Sequence, residues 1–264
     1  MLRPIDSVTK FIRYSVKARS GFGINSPFVF HVYTDIIKNG ISRHEYTQVE
    51  RIRWEMTSLL RFIKRIDYGA RSKEFICDQK FVRVRDVTRK SSISPKEGQL
   101  LFRLVSDIKP AYIVELGTSF GISTLYMALA ARDSKVYTLE GCIDSANIAL
   151  ENFEKVGVHN INVITGKFEE KLKEVLASLP RLDMVFFDGN HKMEPTLRYF
   201  HTCLEHIHPE TVFVFDDIHW SSGMEQAWNE IKNHPEVKIT IDLFNLGIVY
   251  FRRELSKENF TLRF

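Results

Sequence analysis

AYIVELGTSFGISTLYMALAA, residues 111–131, is the most informative stretch of this 264-residue sequence. Its first six residues, AYIVEL (111–116), form a short apolar run rich in β-forming residues, and ISTLYMALAA (122–131) has the length and residue types of a helix. A loop containing Gly117 and Gly121 joins them. A strand, a glycine-containing turn and a helix in this order predict the start of a βαβ unit.

The same alternation continues toward the end of the chain. Further strands are predicted at 135–140, 161–166, 182–188 and 211–217, and helices at 144–157, 168–179, 194–207 and 223–233. VKITIDLF (237–244) and IVYFRR (248–253), joined by a short turn with Gly247, predict an antiparallel hairpin. We therefore expect an α/β fold: a doubly wound, mostly parallel seven-stranded sheet with a C-terminal antiparallel hairpin.

The first third of the chain lacks this alternation. Apolar spacing predicts helices over 8–18, 29–37 and 45–65, with a loop at GFGINSPF (21–28). Residues 1–94 hold 19 Lys+Arg and 9 Asp+Glu, whereas residues 95–264 hold 18 and 24, so the two parts differ in charge. We expect a mainly helical, basic cap over 1–92 and a Rossmann-like domain over 93–264. The basic part either docks on the acidic remainder or faces an anionic partner.

Composition excludes several classes of protein. Hydrophobic residues make up 44% and charged residues 27%, which is typical of a folded globular protein and not of a disordered one. No apolar run is long enough for a membrane span, and the first ten residues lack the apolar core of a signal peptide. The three cysteines are far apart, which argues against a disulfide framework. We expect a cytoplasmic protein.

The loop after the first predicted strand indicates the kind of ligand. Its G-x-x-x-G spacing differs from the G-x-G-x-x-G of dinucleotide-binding sites, which disfavours a dehydrogenase. The second predicted strand ends in Glu140, about 20 residues after the glycine loop, where a carboxylate can accept hydrogen bonds from a ribose diol. The alternatives are a glycine turn that serves packing alone and an ordinary exposed glutamate.

ELGTSFGISTLYMA, TLE and the terminal hairpin resemble the class I S-adenosylmethionine-dependent methyltransferases, and ISPKEGQLL (93–101) resembles their catechol-type O-methyltransferase group. The resemblance covers about residues 93–253 and leaves 1–92 outside. It implies that Gly117 and Gly121 shape the loop under the methionine portion, that Ser123 holds its carboxylate and that Glu140 holds the ribose. The full set of cofactor-binding residues implied is Ile93, Ser94, Glu115, Gly117, Thr118, Gly121, Ser123, Glu140, Gly141, Gly166, Lys167, Phe168 and Asp188.

Carboxylates follow the fourth and fifth predicted strands, at Asp188 and at Asp216-Asp217. Neighbouring parallel strands end at the same edge of a sheet, so these groups can converge on a divalent cation such as Mg²⁺. The catechol-type family has Asp, Asp and Asn at the matching positions, and a catalytic Lys where this chain has His191. We predict His191 as the general base with Asp188 beside it, and Asp188, Asp216 and Asp217 as a tentative metal site. Hydrogen bonds to loop amides and to the cofactor are the alternative role for Asp216 and Asp217, and a hydrogen bond that orients the loop is the alternative role for His191.

The sequence thus predicts an S-adenosylmethionine-dependent methyltransferase that acts on an oxygen or nitrogen of a small acceptor. Two alternatives remain at this point. One is an RNA-modifying methyltransferase that uses the basic segment to bind phosphates. The other is a cofactor-binding interaction protein without catalysis.

Overall fold

The computed structural model describes residues 4–67 and 78–264. The helices are α1 (Pro4–Lys17), α2 (Pro27–His31, followed by a π-helical turn, Val32–Ile37), α3 (His44–Ser58), α4 (Val84–Ser91), α5 (Pro95–Ile108), α6 (Ile122–Ala130), α7 (Ile143–Val156), α8 (Phe168–Ser178), α9 (Met193–Leu204) and α10 (Ser222–Asn233). The strands are β1 (Phe62–Asp67), β2 (Asp78–Arg83), β3 (Tyr112–Leu116), β4 (Lys135–Glu140), β5 (Ile161–Thr165), β6 (Met184–Phe187), β7 (Val212–Phe215), β8 (Ile239–Asp242), β9 (Gly247–Tyr250) and β10 (Glu258–Thr261).

The chain forms two compact units. Unit 1 comprises Met1–Gly40 and Arg181–Phe264, and unit 2 comprises Ile41–Pro180. Residues 1–92, predicted as one segment, are therefore divided between the two units. Whether this segment caps a substrate site stays a prediction. In the described residues, no helix is both long and apolar enough to cross a bilayer.

Unit 2 contains the first βαβ units of the sheet. Its strands lie in the order β3-β4-β5 and are all parallel, with α6 and α7 as the crossover helices. β1 and β2 pair antiparallel in a separate two-stranded sheet. α5 begins with a capping box in which the Ser94 hydroxyl accepts from the Glu97 amide and the Glu97 carboxylate accepts from the Ser94 amide.

Unit 1 contains the remaining strands, in the order β10-β8-β9-β7-β6. β6 and β7 are parallel, and β9 pairs antiparallel with both β7 and β8. All residues of β6 to β9 are buried, as expected for strands covered on both faces.

The mostly parallel α/β sheet and the antiparallel β8–β9 hairpin confirm the predicted fold class. The sheet has eight strands instead of seven, because β10 adds parallel to β8 at its edge. The N-terminal third is also less helical than predicted. The helix expected over 45–65 ends at Ser58, and the chain then enters β1, which pairs with β2.

Candidate functional site

The glycine loop after β3 is anchored to the end of β4. The amides of Gly117 and Thr118 both donate to the carbonyl of Leu139, at 3.0 and 3.2 Å. Gly117, Ser119 and Gly121 have φ values of 108°, 46° and 81°. This left-handed backbone, which glycine adopts without strain, turns the loop back toward β4.

The carboxylate of Glu140 is held by backbone amides. One oxygen accepts from the Ser119 amide at 2.7 Å, and the other accepts from the Cys142 amide at 2.8 Å. Burial raises the pKa of Glu140, and the amides, together with the positive charge of Arg65, partly offset this effect. Each carboxylate oxygen has a second lone pair, so Glu140 can accept two further hydrogen bonds from a ligand. The predicted Gly141 contributes through its backbone amide, which also lowers the pKa of Glu140.

Glu115 is fully buried and has a different role. Its carboxylate accepts hydrogen bonds from the hydroxyls of Ser123 and Thr138, both at 2.6 Å, and of Thr124 at 2.5 Å. Thr118 joins this cluster through the Thr138 hydroxyl, at 2.6 Å. Because Ser123 donates its proton to Glu115, it has only acceptor capacity left in this arrangement, which does not suit a ligand carboxylate. Thr138 and Thr124 are members of the site that sequence reasoning missed.

The other predicted cofactor residues of unit 2 lie at the starts of two helices. Ile93 is buried, and Ser94 caps α5. The amide of Gly166 donates to the Glu140 carbonyl at 3.0 Å, and its φ of 143° turns the chain after β5. Lys167 is exposed at the N-cap of α8, and Phe168, the first residue of that helix, is half-buried. Gly166 thus connects this turn directly to the strand end that bears Glu140.

The predicted catalytic residues come together in unit 1. His191 Nε2 lies 3.5 Å from Asp188 Oδ1, and His191 Nδ1 lies 3.8 Å from Asp217 Oδ2. Asn190, His191 and Asp217 all have left-handed φ values, of 69°, 30° and 55°. Backbone conformations of this kind in residues other than glycine are concentrated at functional sites. Asp216 continues the β6–β7 pairing, since its amide donates to the Phe187 carbonyl at 2.9 Å.

The three carboxylates do not form a metal centre in this arrangement. Within residues 4–67 and 78–264, no three His, Cys, Asp or Glu side chains are grouped so that they could hold a metal ion. Instead, an imidazole faces two of the carboxylates. The metal site at Asp188, Asp216 and Asp217 therefore stays a prediction, and no step of the chemistry below passes through it.

A second cluster in unit 1, which we call the His219 network, supports the loop that carries Asp216 and Asp217. His219 lies between Glu225 and Asp242, at 3.1 and 2.9 Å. Lys10 of α1 donates to the His219 carbonyl at 3.1 Å and pairs with Glu225 at 2.9 Å. Burial opposes a charge on the ring, but the two carboxylates outweigh it and raise the pKa of His219. Its members are too far apart in sequence for any spacing rule to connect them.

Part of this chain is similar in sequence to known proteins. Residues 114–218 match a family described as "Methyltransferase domain". A catechol O-methyltransferase from Niastella koreensis is 31% identical over 130 residues, which are 48% of this chain and 58% of that relative. The chain thus spans little more than half the length of this curated relative.

Solved structures share the fold. An O-methyltransferase from Bacillus cereus in complex with SAH has a TM-score of 0.56 at 19% identity, over 80% of this chain and 92% of that one. An SAH-bound methyltransferase from Podospora anserina has a TM-score of 0.58 at 17% identity, over 88% and 98%.

These matches confirm the resemblance inferred from ELGTSFG and TLE. Residues 114–218 are similar to a methyltransferase domain, and the fold is shared with solved O-methyltransferases. The RNA-modifying and non-catalytic alternatives receive no support from the comparisons.

Proposed function

We propose that this chain transfers a methyl group from S-adenosylmethionine to an oxygen atom of a small-molecule acceptor. The observation that carries the proposal is Glu140: backbone amides of the glycine loop and of the chain after β4 orient its carboxylate, whose remaining lone pairs match a ribose diol. The similarity to O-methyltransferases supports oxygen over nitrogen as the acceptor atom.

When bound, S-adenosylmethionine supplies a methyl group on a sulfonium sulfur. The acceptor oxygen forms a bond to the methyl carbon as the carbon–sulfur bond breaks, and the acceptor proton must leave to a base. We propose His191 as that base. The carboxylates of Asp188 and Asp217 near its two nitrogens stabilise the imidazolium that results.

Calorimetry tests cofactor binding. We expect the wild type to bind S-adenosylmethionine and SAH, and Glu140→Ala to weaken binding by about 1.5–3 kcal/mol, the scale of hydrogen bonds to a charged group. Glu154→Gln changes an exposed carboxylate on α7 and is the matched control, with unchanged affinity. Absence of binding by the wild type, or equal affinities for the wild type and Glu140→Ala, would show that the proposal is wrong.

Methyl transfer from labelled S-adenosylmethionine to a panel of phenolic and other hydroxyl acceptors tests the chemistry. We expect His191→Gln to lower kcat about 10²–10⁴-fold, the usual contribution of a general base, with cofactor affinity retained. Wild-type turnover is expected to persist after EDTA treatment. Turnover that disappears with EDTA and returns with Mg²⁺ would contradict the metal-free assignment, and a fully active His191→Gln would exclude His191 as the base.

A further inference from the structure

Helix α1 carries three parallel stripes of side chains, each with i, i+4, i+8 spacing. The inner stripe consists of Lys10, Tyr14 and Ala18, of which Ala18 lies just past the end of the helix. The apolar stripe consists of Val8, Ile12 and Val16. The polar and basic stripe consists of Thr9, Arg13 and Lys17. The apolar and basic stripes are adjacent on the helix surface. We call these two stripes together the outer face.

The inner stripe fixes α1 to unit 1. Tyr14 and Ala18 are buried, and the Tyr14 hydroxyl donates to the Leu262 carbonyl. Lys10 pairs with Glu225 at 2.9 Å. These partners determine which side of α1 is turned inward, so the opposite side is presented by a folded unit and not by a loose helix.

The outer face is exposed. Val8, Ile12 and Val16 are 58%, 57% and 82% exposed, and Arg13 and Lys17 are exposed beside them. Branched aliphatic side chains in a row are unfavourable in water, and a row of this kind on a fixed helix indicates an interaction surface. The adjacent positive charges of Arg13 and Lys17 indicate that the partner is negatively charged.

We propose that the outer face of α1 binds the surface of an anionic lipid bilayer. A helix with an apolar stripe and a neighbouring basic stripe lies in the interface, with its aliphatic side chains among the acyl chains and its cations among the acidic headgroups. A two-fold symmetric contact between copies of this chain would place the same Arg13 and Lys17 stripe on both sides of one interface. Repulsion between these like charges disfavours a second copy as the occupant.

Flotation with vesicles tests this proposal on the full chain. Vesicles of phosphatidylcholine alone are compared with vesicles that contain phosphatidylserine, at low and at high salt. We expect binding to the phosphatidylserine vesicles, weakened by salt. The double variant Arg13→Glu/Lys17→Glu is expected to lose about fivefold in partitioning or more for each cation, and Ile12→Ser/Val16→Ser about tenfold.

Matched controls separate the outer face from general charge and hydrophobicity. Arg132→Glu/Lys173→Glu makes the same charge change at exposed sites of unit 2, and Leu150→Ser removes an exposed aliphatic side chain from α7. Both controls should bind vesicles like the wild type, and circular dichroism checks that all variants are folded.

Three results would overturn the proposal: no binding to phosphatidylserine vesicles, binding that is equal with phosphatidylcholine alone, or binding that both α1 variants retain. Sedimentation velocity over a range of concentrations can give a fourth result that would overturn the proposal. A dimer that Ile12→Ser/Val16→Ser abolishes would assign the outer face to a second copy of the chain.

Discussion

Glu115, which is fully buried, and Glu140, which is half-buried, lie 25 positions apart in sequence and have different partners. The hydroxyls of Ser123, Thr124 and Thr138 surround Glu115, whereas backbone amides orient Glu140. Burial raises the pKa of both carboxyls. Glu115 therefore has a structural role, because its hydrogen bonds connect β3 to α6 and β4. Glu140, in contrast, retains lone pairs that can accept hydrogen bonds from a ligand.

The raised pKa of Glu115 predicts a pH-dependent contribution to stability. In the folded state Glu115 holds its proton to a higher pH than in the unfolded state, where its pKa is near 4.5. Its contribution is thus fully present below pH 4.5 and is lost as pH rises through the folded-state pKa. Glu115→Gln cannot ionise, so the free energy of unfolding of the wild type, relative to this variant, should decrease over that window. Urea titrations at several pH values measure the difference, with Glu154→Gln as the control. A difference that is constant with pH would contradict the assignment.

At this scale, sequence could identify residues but not their partners. The motif singled out Ser123 and Ser94 as cofactor-binding residues; in the structure, Ser123 donates to Glu115 and Ser94 caps α5. A hydroxyl can serve a ligand, a carboxylate or a helix end equally well, and only the surrounding packing decides between them.

Gly121 determines the backbone conformation at the start of α6 and how closely this turn approaches α7. Its φ is 81°, and a Cβ there would lie 2.3 Å from a ring carbon of Phe153 on α7. Gly157, at the end of α7, has a similar φ of 73° with nothing within 4 Å of such a Cβ. We expect Gly157→Ala to cost about 1 kcal/mol of unfolding free energy for the left-handed backbone, and Gly121→Ala about 2–4 kcal/mol because overpacking is added. Equal losses in thermal or urea unfolding would show that the contact with Phe153 is relieved without cost.

Helix α1 is predicted to steady the loop that carries the acidic pair, because Lys10 donates to the His219 carbonyl and pairs with Glu225. Lys10→Met keeps most of the aliphatic stem and removes both interactions. We expect a loss of about 1 kcal/mol in unfolding free energy and faster amide exchange over residues 217–220. Lys17→Met, an exposed change on the same helix, is the control. Unchanged exchange in Lys10→Met would show that the loop is held without α1.

The error in the element predictions has a local cause. Val49, Ile52 and Met56 are buried and keep helical spacing, and Leu59, Leu60 and Ile63 extend the pattern by chance. The strand β1 that replaces the last helical turns is stabilised by pairing with β2, whose residues lie 11–21 positions after their partners. The spacing of apolar residues alone cannot reveal that β2 pairs with this segment, because Leu59, Leu60 and Ile63 fit the apolar positions of a helix as well as those of a strand.

At the scale of the whole molecule, regular alternation made the α/β fold predictable from sequence, since each βαβ unit is built from neighbouring segments. β10 was missed for the opposite reason. Its four residues, ENFT, include one buried side chain, Phe260, and its pairing with β8 depends on chain that lies about 20 residues earlier. The division of the N-terminal third between two units was equally invisible, because it depends on contacts with the far end of the chain.

The division of the N-terminal third between the two units affects how the protein folds while the ribosome synthesises it. The two ends of the chain are joined in unit 1: the Arg19 amide donates to Thr261, and the Arg263 amide donates to Arg19, each at 2.9 Å. A ribosome adds roughly 5–20 residues per second, so α1 emerges about 10–50 s before the strand that completes its binding surface. Unit 2 is continuous and can fold during that interval, whereas α1 cannot make its contacts with residues 261–263 until they have been synthesised. Its inner stripe, which contains Tyr14, is then available to chaperones for most of translation.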